Sequence, residues 1–166
     1  SLGWNRDEIN VLIFVTQSPE LSRPSTAFII QKRLGIGKSC LVYDINMGCS
    51  GYIGGLVTIE GILSATKGKG LLLVGECSEI ANRDFAVSGT GSLLDGDAAS
   101  AIAVEYCGEA VTYYQNYSDG TRMDYLYKLF DKPAYMDGNA VLLFGLNDVV
   151  DGIKNFHEDN ELTPDD

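Results

Sequence analysis

Three short apolar runs, separated by two helix-like segments, constrain the fold of this 166-residue chain more than any other feature. The runs cover residues 11–16, 41–46 and 71–76, and the first and third are almost continuously apolar. Such runs are typical of strands that are buried on both faces. The order predicts a β-α-β-α-β unit, in which right-handed crossovers make the strands parallel and place helices on both faces of the sheet.

The two helical segments carry recognisable start and stop signals. The first is expected to begin at Pro24, a residue suited to the first helical turn, and to end at Gly35. The second is expected to run from about Cys49 to Thr66 and to end at 67–70. It is apolar on nearly every side and carries a single charge, so we expect it to be a buried central helix between two sheets.

The later part of the chain is less regular. Residues 82–97 are rich in Gly, Ser, Asp and Thr, which predicts a long loop. Residues 98–106 and 110–117 have the composition of strands and are expected to pair antiparallel around the turn between them. Residues 137–157 repeat apolar side chains at helical spacing, which predicts an amphipathic helix.

The charge and the cysteine pattern exclude several classes of function. Twelve Lys and Arg residues against 23 Asp and Glu residues give a net charge of −11, which disfavours nucleic acid and anionic membrane surfaces as partners. No apolar run approaches the length of a membrane helix and no export signal opens the chain, so we expect a cytoplasmic protein. Four cysteines without C-x-x-C spacing and a single histidine predict no metal site.

Cys49 is the candidate nucleophile. It follows the second predicted strand and precedes the buried helix, with Gly48 and Gly51 close by to permit a tight turn. Ligand sites in open α/β sheets lie beyond the carboxyl ends of the strands, and the start of a helix directs N–H groups towards a thiolate. The alternative interpretation, left open by these residues alone, is a small side chain packed at a crowded turn.

Six short motifs, in order, resemble the ketoacyl-acyl carrier protein synthase III family of the thiolase-like superfamily. They are 16–19 (TQSP), 24–27 (PSTA) with 31–35 (QKRLG), 44–51 (DINMGCSG) with Leu56, 71–75 (LLLVG), 94–101 (LDGDAASA) and 135–139 (YMDGN). The fifth is similar to the family's Phe-Gly-Asp-Gly-Ala-Gly-Ala loop, and the sixth is similar to its Met-x-Gly-Asn segment. The similarity extends from about Asn10 to Asp166.

The resemblance implies an α/β fold of the thiolase-like layered type, α-β-α-β-α in two similar halves, with a mixed sheet. Residues 1–117 would form most of the N-terminal half-domain, and residues 118–166 a connecting region and helix. Family members are about twice this length, so we expect a fragment without the family's first strand and C-terminal half. The family also implies a homodimer, which we expect to form through the strand at 71–75.

The implied activity is acyl transfer to Cys49, followed by decarboxylative Claisen condensation with malonyl-acyl carrier protein in fatty acid biosynthesis. A thiolate suits this chemistry because it is a good nucleophile towards thioesters and also a good leaving group. The implied substrates are acyl-coenzyme A and malonyl-acyl carrier protein, with acyl carrier protein as a partner and no cofactor. The resemblance also leaves open a related enzyme with a different acceptor, and a non-catalytic thiolase-like subunit.

The resemblance also implies a substrate-binding set. Its members are Arg23, Leu94, Asp95, Met136, Gly138 and Leu142. Asp95 replaces the Phe of the family's loop, and Arg23 stands where some members carry an aromatic residue that enters the partner subunit's pocket. The family's catalytic His and Asn are expected beyond Asp166, and His157 is not expected to be the counterpart of that His.

Overall fold

A computed structural model describes residues 2–77, 96–129, 132 and 134–163. The described residues fall into two compact units, a first unit of residues 2–77 and 96–110 and a second unit of residues 111–163 with the gaps just given. The domain boundary expected after residue 117 stays a prediction. Within the described parts of the chain, no helix is both long and apolar enough to cross a membrane.

The first unit is a mixed four-stranded sheet with two helices. Its elements are β1 (Ile9–Val15), α1 (Thr26–Leu34), β2 (Leu41–Ile45), α2 (Gly51–Thr66), β3 (Lys69–Glu76) and β4 (Ala98–Glu105). The strand order is β2-β1-β3-β4, with β1 parallel to both β2 and β3, and β4 antiparallel to β3. The predicted β-α-β-α-β order and the mixed sheet are therefore confirmed.

Alternate residues of β1 separate two hydrophobic cores, one on each face of the sheet. One core combines β1 with α2 and β3, and its buried members are Val11, Ile13, Val15, Ile59, Leu63 and Leu72. The other combines β1 with β2 and α1, and its buried members are Ile9, Leu12, Ala27, Ile36 and Val42. Side chains of a strand point alternately to opposite faces, so the continuously apolar run 11–15 of β1 serves both cores.

Helix α1 begins at Thr26 rather than at Pro24, and Ser25 is its N-cap. The carboxylate of Asp44 on β2 accepts hydrogen bonds from the backbone N–H groups of Thr26 and Ala27, at 2.7 and 2.8 Å. These long-range bonds satisfy the first free N–H groups of the helix and so determine where it begins. The predicted end is confirmed, because Gly35 is the C-cap with a φ of 68°.

Helix α2 packs one face against the sheet and leaves part of its other face exposed. Its buried residues are Gly51, Gly55, Ile59 and Leu63, whereas Tyr52 and Ile53 are 42% and 47% exposed. The sheet of this unit therefore covers one side of an apolar helix. A second sheet over the other side stays a prediction.

Two expectations about strand pairing are wrong. Residues 110–117 form no strand, and β4 pairs with β3 instead. Val, Thr and Tyr residues are compatible with a strand, but a strand also needs a hydrogen-bonded neighbour, and Val111 and Tyr114 are 74% and 57% exposed. The strand at 71–75 lies between β1 and β4, so neither of its edges is open to a second subunit.

The second unit contains short elements followed by a helix. They are a 3₁₀ helix (Gly120–Tyr125), β5 (Leu126–Tyr127), β6 (Tyr135–Met136), α3 (Gly138–Phe144), a π-helical turn (Gly145–Val149) and α4 (Val150–Asp159). The helix predicted over 137–157 is confirmed, and Asp137 caps it by accepting a hydrogen bond from the N–H of Ala140. None of the described residues of this unit is buried.

Candidate active site

The carboxyl ends of three parallel strands meet at one edge of the first unit's sheet. The turn at 16–18 follows β1, the turn that carries Cys49 follows β2, and Glu76 ends β3. Sites in open α/β sheets form at this edge, because the loops there leave the strands in the same direction. The predicted nucleophile therefore lies where such folds bind their ligands.

Cys49 lies in a tight turn two residues before α2. The N–H of Gly51 donates to the carbonyl oxygen of Gly48 at 2.7 Å, and the N–H of Gly54 donates to that of Ser50 at 3.1 Å. The side chain of Cys49 is exposed, so close packing does not account for a cysteine at this position. Its catalytic role stays a prediction.

Glycines allow this turn to lie close against the sheet. A Cβ atom on Gly51 would lie 2.5 Å from Cγ1 of Val15, and one on Gly55 would lie 2.7 Å from Cδ1 of Leu72. Real Cβ contacts are essentially never that short, so larger residues would force α2 away from β1 and β3. The spacing of these glycines positions the start of α2, and with it Cys49, at the sheet edge.

A polar cluster joins the ends of β1 and β3. Glu76 accepts hydrogen bonds from the backbone N–H of Gln17 at 2.7 Å, from the hydroxyl of Ser18 at 2.8 Å and from the hydroxyl of Thr16 at 3.5 Å. Thr16 and Ser18 are buried, whereas Glu76 is exposed. Sequence analysis did not find this cluster. Its only signal was the presence of polar residues directly after two apolar strands.

The side chain of Gln17 lies over the turn that carries Cys49. A Cβ atom on Gly48 would lie 3.5 Å from Nε2 and 3.6 Å from Oε1 of Gln17. Those distances are ordinary van der Waals contacts. Gly48, which precedes Cys49, therefore has the side-chain amide of Gln17 as its neighbour.

The predicted substrate-binding residues fall into three groups. Arg23 lies in the first unit, exposed in the loop before α1. Met136, at the end of β6, and Gly138 and Leu142, both in α3, lie in the second unit, where Leu142 is 59% exposed. Leu94 and Asp95 lie outside the described residues. A common site formed by these residues and Cys49 stays a prediction.

His157 lies near the end of α4, beside the ring of Phe156 at a centroid distance of 6.2 Å. Its backbone carbonyl accepts a hydrogen bond from the N–H of Leu162 at 2.9 Å. These contacts are local to the end of the helix.

A cavity of about 500 Å³ lies on the α1 face of the sheet, and its lining includes Phe14, Ile30, Leu73, Glu76 and Cys77. Cys49 is not among the described residues that line it. The cavity and the candidate nucleophile are therefore separate features of the first unit. Among the described residues, no group of three His, Cys, Asp or Glu side chains is arranged to hold a metal ion.

The sequence of this chain matches a known protein family. The profile described as 3-oxoacyl-[acyl-carrier-protein (ACP)] synthase III matches residues 43–120. A beta-ketoacyl-[acyl-carrier-protein] synthase III of Methylococcus capsulatus (Bath) is 33% identical over 122 residues, which are 72% of this chain and 37% of the relative. One from Oceanobacillus iheyensis is 29% identical over 162 residues, which are 96% of this chain and 51% of the relative.

Solved structures agree on the architecture. The crystal structure of 3-oxoacyl-[acyl-carrier-protein] synthase III from Aquifex aeolicus VF5 superposes with a TM-score of 0.81 at 21% identity, over 96% of this chain and 52% of that one. An identity this low shows the fold alone. The chain spans about a third to a half of the length of the two curated relatives. By its sequence and its thiolase-like fold, the chain belongs to the 3-oxoacyl-[acyl-carrier-protein] synthase III family.

Proposed function

We propose that this protein is an acyltransferase that forms an acyl-enzyme thioester on Cys49 and condenses it with malonyl-acyl carrier protein. The observation that carries the proposal is the exposed thiol of Cys49, held in a tight turn at the carboxyl ends of the three parallel strands. Covalent catalysis of acyl transfer needs an accessible nucleophile on a rigid turn. The activity for which the matching family is named supplies the substrate class.

The first step transfers the acyl group. The thiolate of Cys49 attacks the carbonyl carbon of acyl-coenzyme A, the tetrahedral intermediate collapses, and coenzyme A leaves as a thiolate that takes up a proton. The negative oxygen of the intermediate needs fixed N–H donors, and the backbone N–H of Cys49 is the candidate within this turn. The product is a thioester on Sγ of Cys49.

The second step forms the carbon–carbon bond. Malonyl-acyl carrier protein loses carbon dioxide, and the electron pair of the broken bond attacks the acyl carbon on Cys49. The thiolate of Cys49 leaves, and the 3-oxoacyl group remains on the carrier protein. The protein needs no metal or organic cofactor for either step, because the thioesters supply the activated carbon atoms.

The proposal includes partners as well as substrates. Acyl carrier proteins are acidic, so we expect docking at the exposed basic residues of the first unit, of which Lys32 and Arg33 lie together on α1. A homodimer would have to use an outer strand of the sheet. Among the described strands those are β2 and β4, because β3 is paired on both sides. A cytoplasmic location follows from these substrates.

Mass spectrometry of the protein expressed from its complete gene tests the proposal. After incubation with acetyl-coenzyme A, we expect one adduct of acetyl mass on the peptide that contains Cys49. Cys49→Ala should abolish it, whereas Cys107→Ala, which removes another exposed thiol, should leave it unchanged. An absent adduct in the wild type, or one that survives Cys49→Ala, would rule out the assignment.

A further inference from the structure

The further inference concerns the first turn of α2, and it rests on the proposed role of Cys49. We infer that the side chains of Tyr52 and Ile53 form an apolar surface along which the acyl group on Cys49 lies. These two residues favour an apolar acyl chain of several carbon atoms over an acetyl group.

The helical conformation of α2 extends back to Cys49. The N–H of Gly51 donates to the carbonyl of Gly48 at 2.7 Å, which makes Cys49 and Ser50 the central residues of a β-turn. Ser50 has a φ of −80° and a ψ of −2°, and the φ of Cys49 is not positive. These angles correspond to a type I turn, in which both central residues have helical conformations. Cys49 therefore continues the spiral of α2 towards its N-terminus.

This geometry makes Tyr52 and Ile53 the neighbours of Cys49. They follow it by three and four positions, and residues with that spacing on a helix have Cβ atoms about 5–6 Å apart. All three residues are exposed. Two large apolar side chains are therefore accessible on the side of the helix where the thiol lies.

The other sides of this turn are already in contact with the protein. Gly51 lies against β1. The thioether of Met47 lies against Gly54, since a Cβ on that glycine would be 2.7 Å from Sδ and 3.4 Å from Cε of the methionine. Residues two positions apart on a helix lie on nearly opposite sides, so Cys49 and Ile53 both lie opposite Gly51. An acyl chain on the thiol can extend along that open side.

The thioester determines what occupies this surface. It attaches the acyl chain to Sγ of Cys49, so the chain stays near Tyr52 and Ile53 for as long as the acyl-enzyme lasts. Each methylene group that covers these side chains removes apolar area from water, which favours a longer chain. An acetyl group has a single methyl group to place there, so it gains the least from the contact.

A chemical probe tests this contact without requiring catalysis. A thiolate attacks an alkyl methanethiosulfonate at its sulfenyl sulfur, a disulfide forms and methanesulfinate leaves, so the alkyl chain is held close to Sγ. The protein expressed from its complete gene is treated with a limiting, equimolar mixture of the methyl and hexyl reagents, and mass spectrometry gives the hexyl-to-methyl ratio at each cysteine. We expect this ratio to be about fivefold higher at Cys49 than at Cys107, another exposed thiol of the first unit.

Substitutions identify the residues responsible. Ile53→Ser and Tyr52→Ser should each lower the ratio at Cys49 by about twofold to threefold, and Ile53→Leu should keep it, because leucine retains the apolar area. Leu34→Ser is the matched control, since it removes an exposed apolar side chain from α1 and should leave the ratio unchanged. In the acylation assay, Ile53→Ser should slow acylation by hexanoyl-coenzyme A relative to acetyl-coenzyme A by a similar factor.

Equal ratios at Cys49 and Cys107 in the wild type would overturn the inference, and this is the result expected if another part of the protein covers this side of α2. A loss in Leu34→Ser as large as that in Ile53→Ser would also count against it, because the effect would then not be local. A wild type that takes up no acyl group refutes the proposed function, whereas the labelling ratio still decides whether a chain on Cys49 contacts Tyr52 and Ile53.

Discussion

The two units of this chain differ in where their apolar side chains lie. The first unit buries two clusters, and side chains such as Leu12, Ile59 and Leu72 are completely inaccessible. In the described part of the second unit no side chain is buried, and Leu142, Leu146 and similar residues are more than half exposed. Both units contain apolar helices, but among the described residues only those of the first unit bury side chains against a sheet.

An apolar helix therefore stabilises the fold only where other parts of the chain cover it. Burial of apolar area, rather than apolar composition, provides the free energy of folding. Helix α2 has one covered face and one uncovered face, since its glycine-rich face touches the sheet while Tyr52 and Ile53 remain accessible. Matched substitutions in the two units can therefore test whether this contrast holds.

The largest expected effect comes from truncating one leucine in each unit. Leu72→Ala should lower the free energy of unfolding by about 2–5 kcal/mol, because it leaves a cavity in the core between β3 and α2. Leu146→Ala, at a position that is 61% exposed, should change it by less than about 0.5 kcal/mol. Urea unfolding of the 166-residue chain measures both. Equal losses would mean that the second unit has a core of its own.

Two helical glycines should respond with opposite signs. At Gly55 a Cβ would lie 2.7 Å from Cδ1 of Leu72 and 3.0 Å from Cγ2 of Val15, so Gly55→Ala should cost about 1–3 kcal/mol. At Gly152 a Cβ would lie 3.7 Å from Cε2 of Tyr117, so Gly152→Ala should stabilise by about 0.5–1 kcal/mol. Thermal unfolding followed by circular dichroism measures the shift. Stabilisation by Gly55→Ala would contradict close packing of α2.

Helix caps in the two units provide a smaller contrast. Asp44 accepts two hydrogen bonds from the first N–H groups of α1, so Asp44→Ala should cost about 1–2 kcal/mol. Asp137 accepts one, from Ala140 at 3.0 Å, so Asp137→Ala should cost about 0.5–1 kcal/mol. Urea unfolding compares the two losses. A larger loss for Asp137→Ala would reverse the order that the contacts predict.

The smallest expected effect is the pH dependence of stability, and it should have the same sign in both units. Hydrogen bonds from the backbone of Asn5 and from Lys69 lower the pKa of Glu8 below its ordinary 4.5. Hydrogen bonds from the side chain and backbone of Thr121 lower the pKa of Asp119 below 3.8. A folded-state pKa below the unfolded one stabilises the fold above the ordinary pKa, and this contribution is lost as the pH falls through the folded-state value.

Unfolding measured from pH 6 to pH 3 tests this sign. The wild type should lose stability towards pH 3, and Glu8→Gln and Asp119→Asn should each lose slightly less over that interval. Both carboxyl groups are exposed to solvent, so the differences should be small and should shrink in high salt. A wild type that gains stability on acidification would contradict the lowered pKa values.

Local patterns predicted most of the first unit. The apolar runs became β1, β2 and β3, Gly35 ended α1, and the glycine-flanked Cys49 lies in an exposed turn. These features depend on side-chain periodicity and on backbone freedom within a few residues, which a sequence displays directly. The family resemblance is likewise supported by motifs from the same segments, and the profile match covers residues 43–120.

Long-range contacts account for what the sequence did not reveal. Asp44 determined the first residue of α1 from 18 positions away. Residues 110–117 looked like a strand but had no strand to pair with, and the edge of β3 that was expected to meet a second subunit is taken by β4. The link from Glu76 to Gln17 joins residues 59 positions apart. No local pattern shows such pairings.

Local sequence patterns therefore predicted the order of β1, α1, β2, α2 and β3, and they indicated Cys49 as the candidate nucleophile. Short-range conformational preferences depend on neighbouring residues, so they can be predicted without knowing the rest of the chain. Which strands are neighbours, which side chains are buried and which polar groups meet, such as Glu76 with the turn at 16–18, became clear only from the folded chain. Those outcomes depend on distances between residues far apart in sequence, and packing and hydrogen bonding set these distances only when the chain folds.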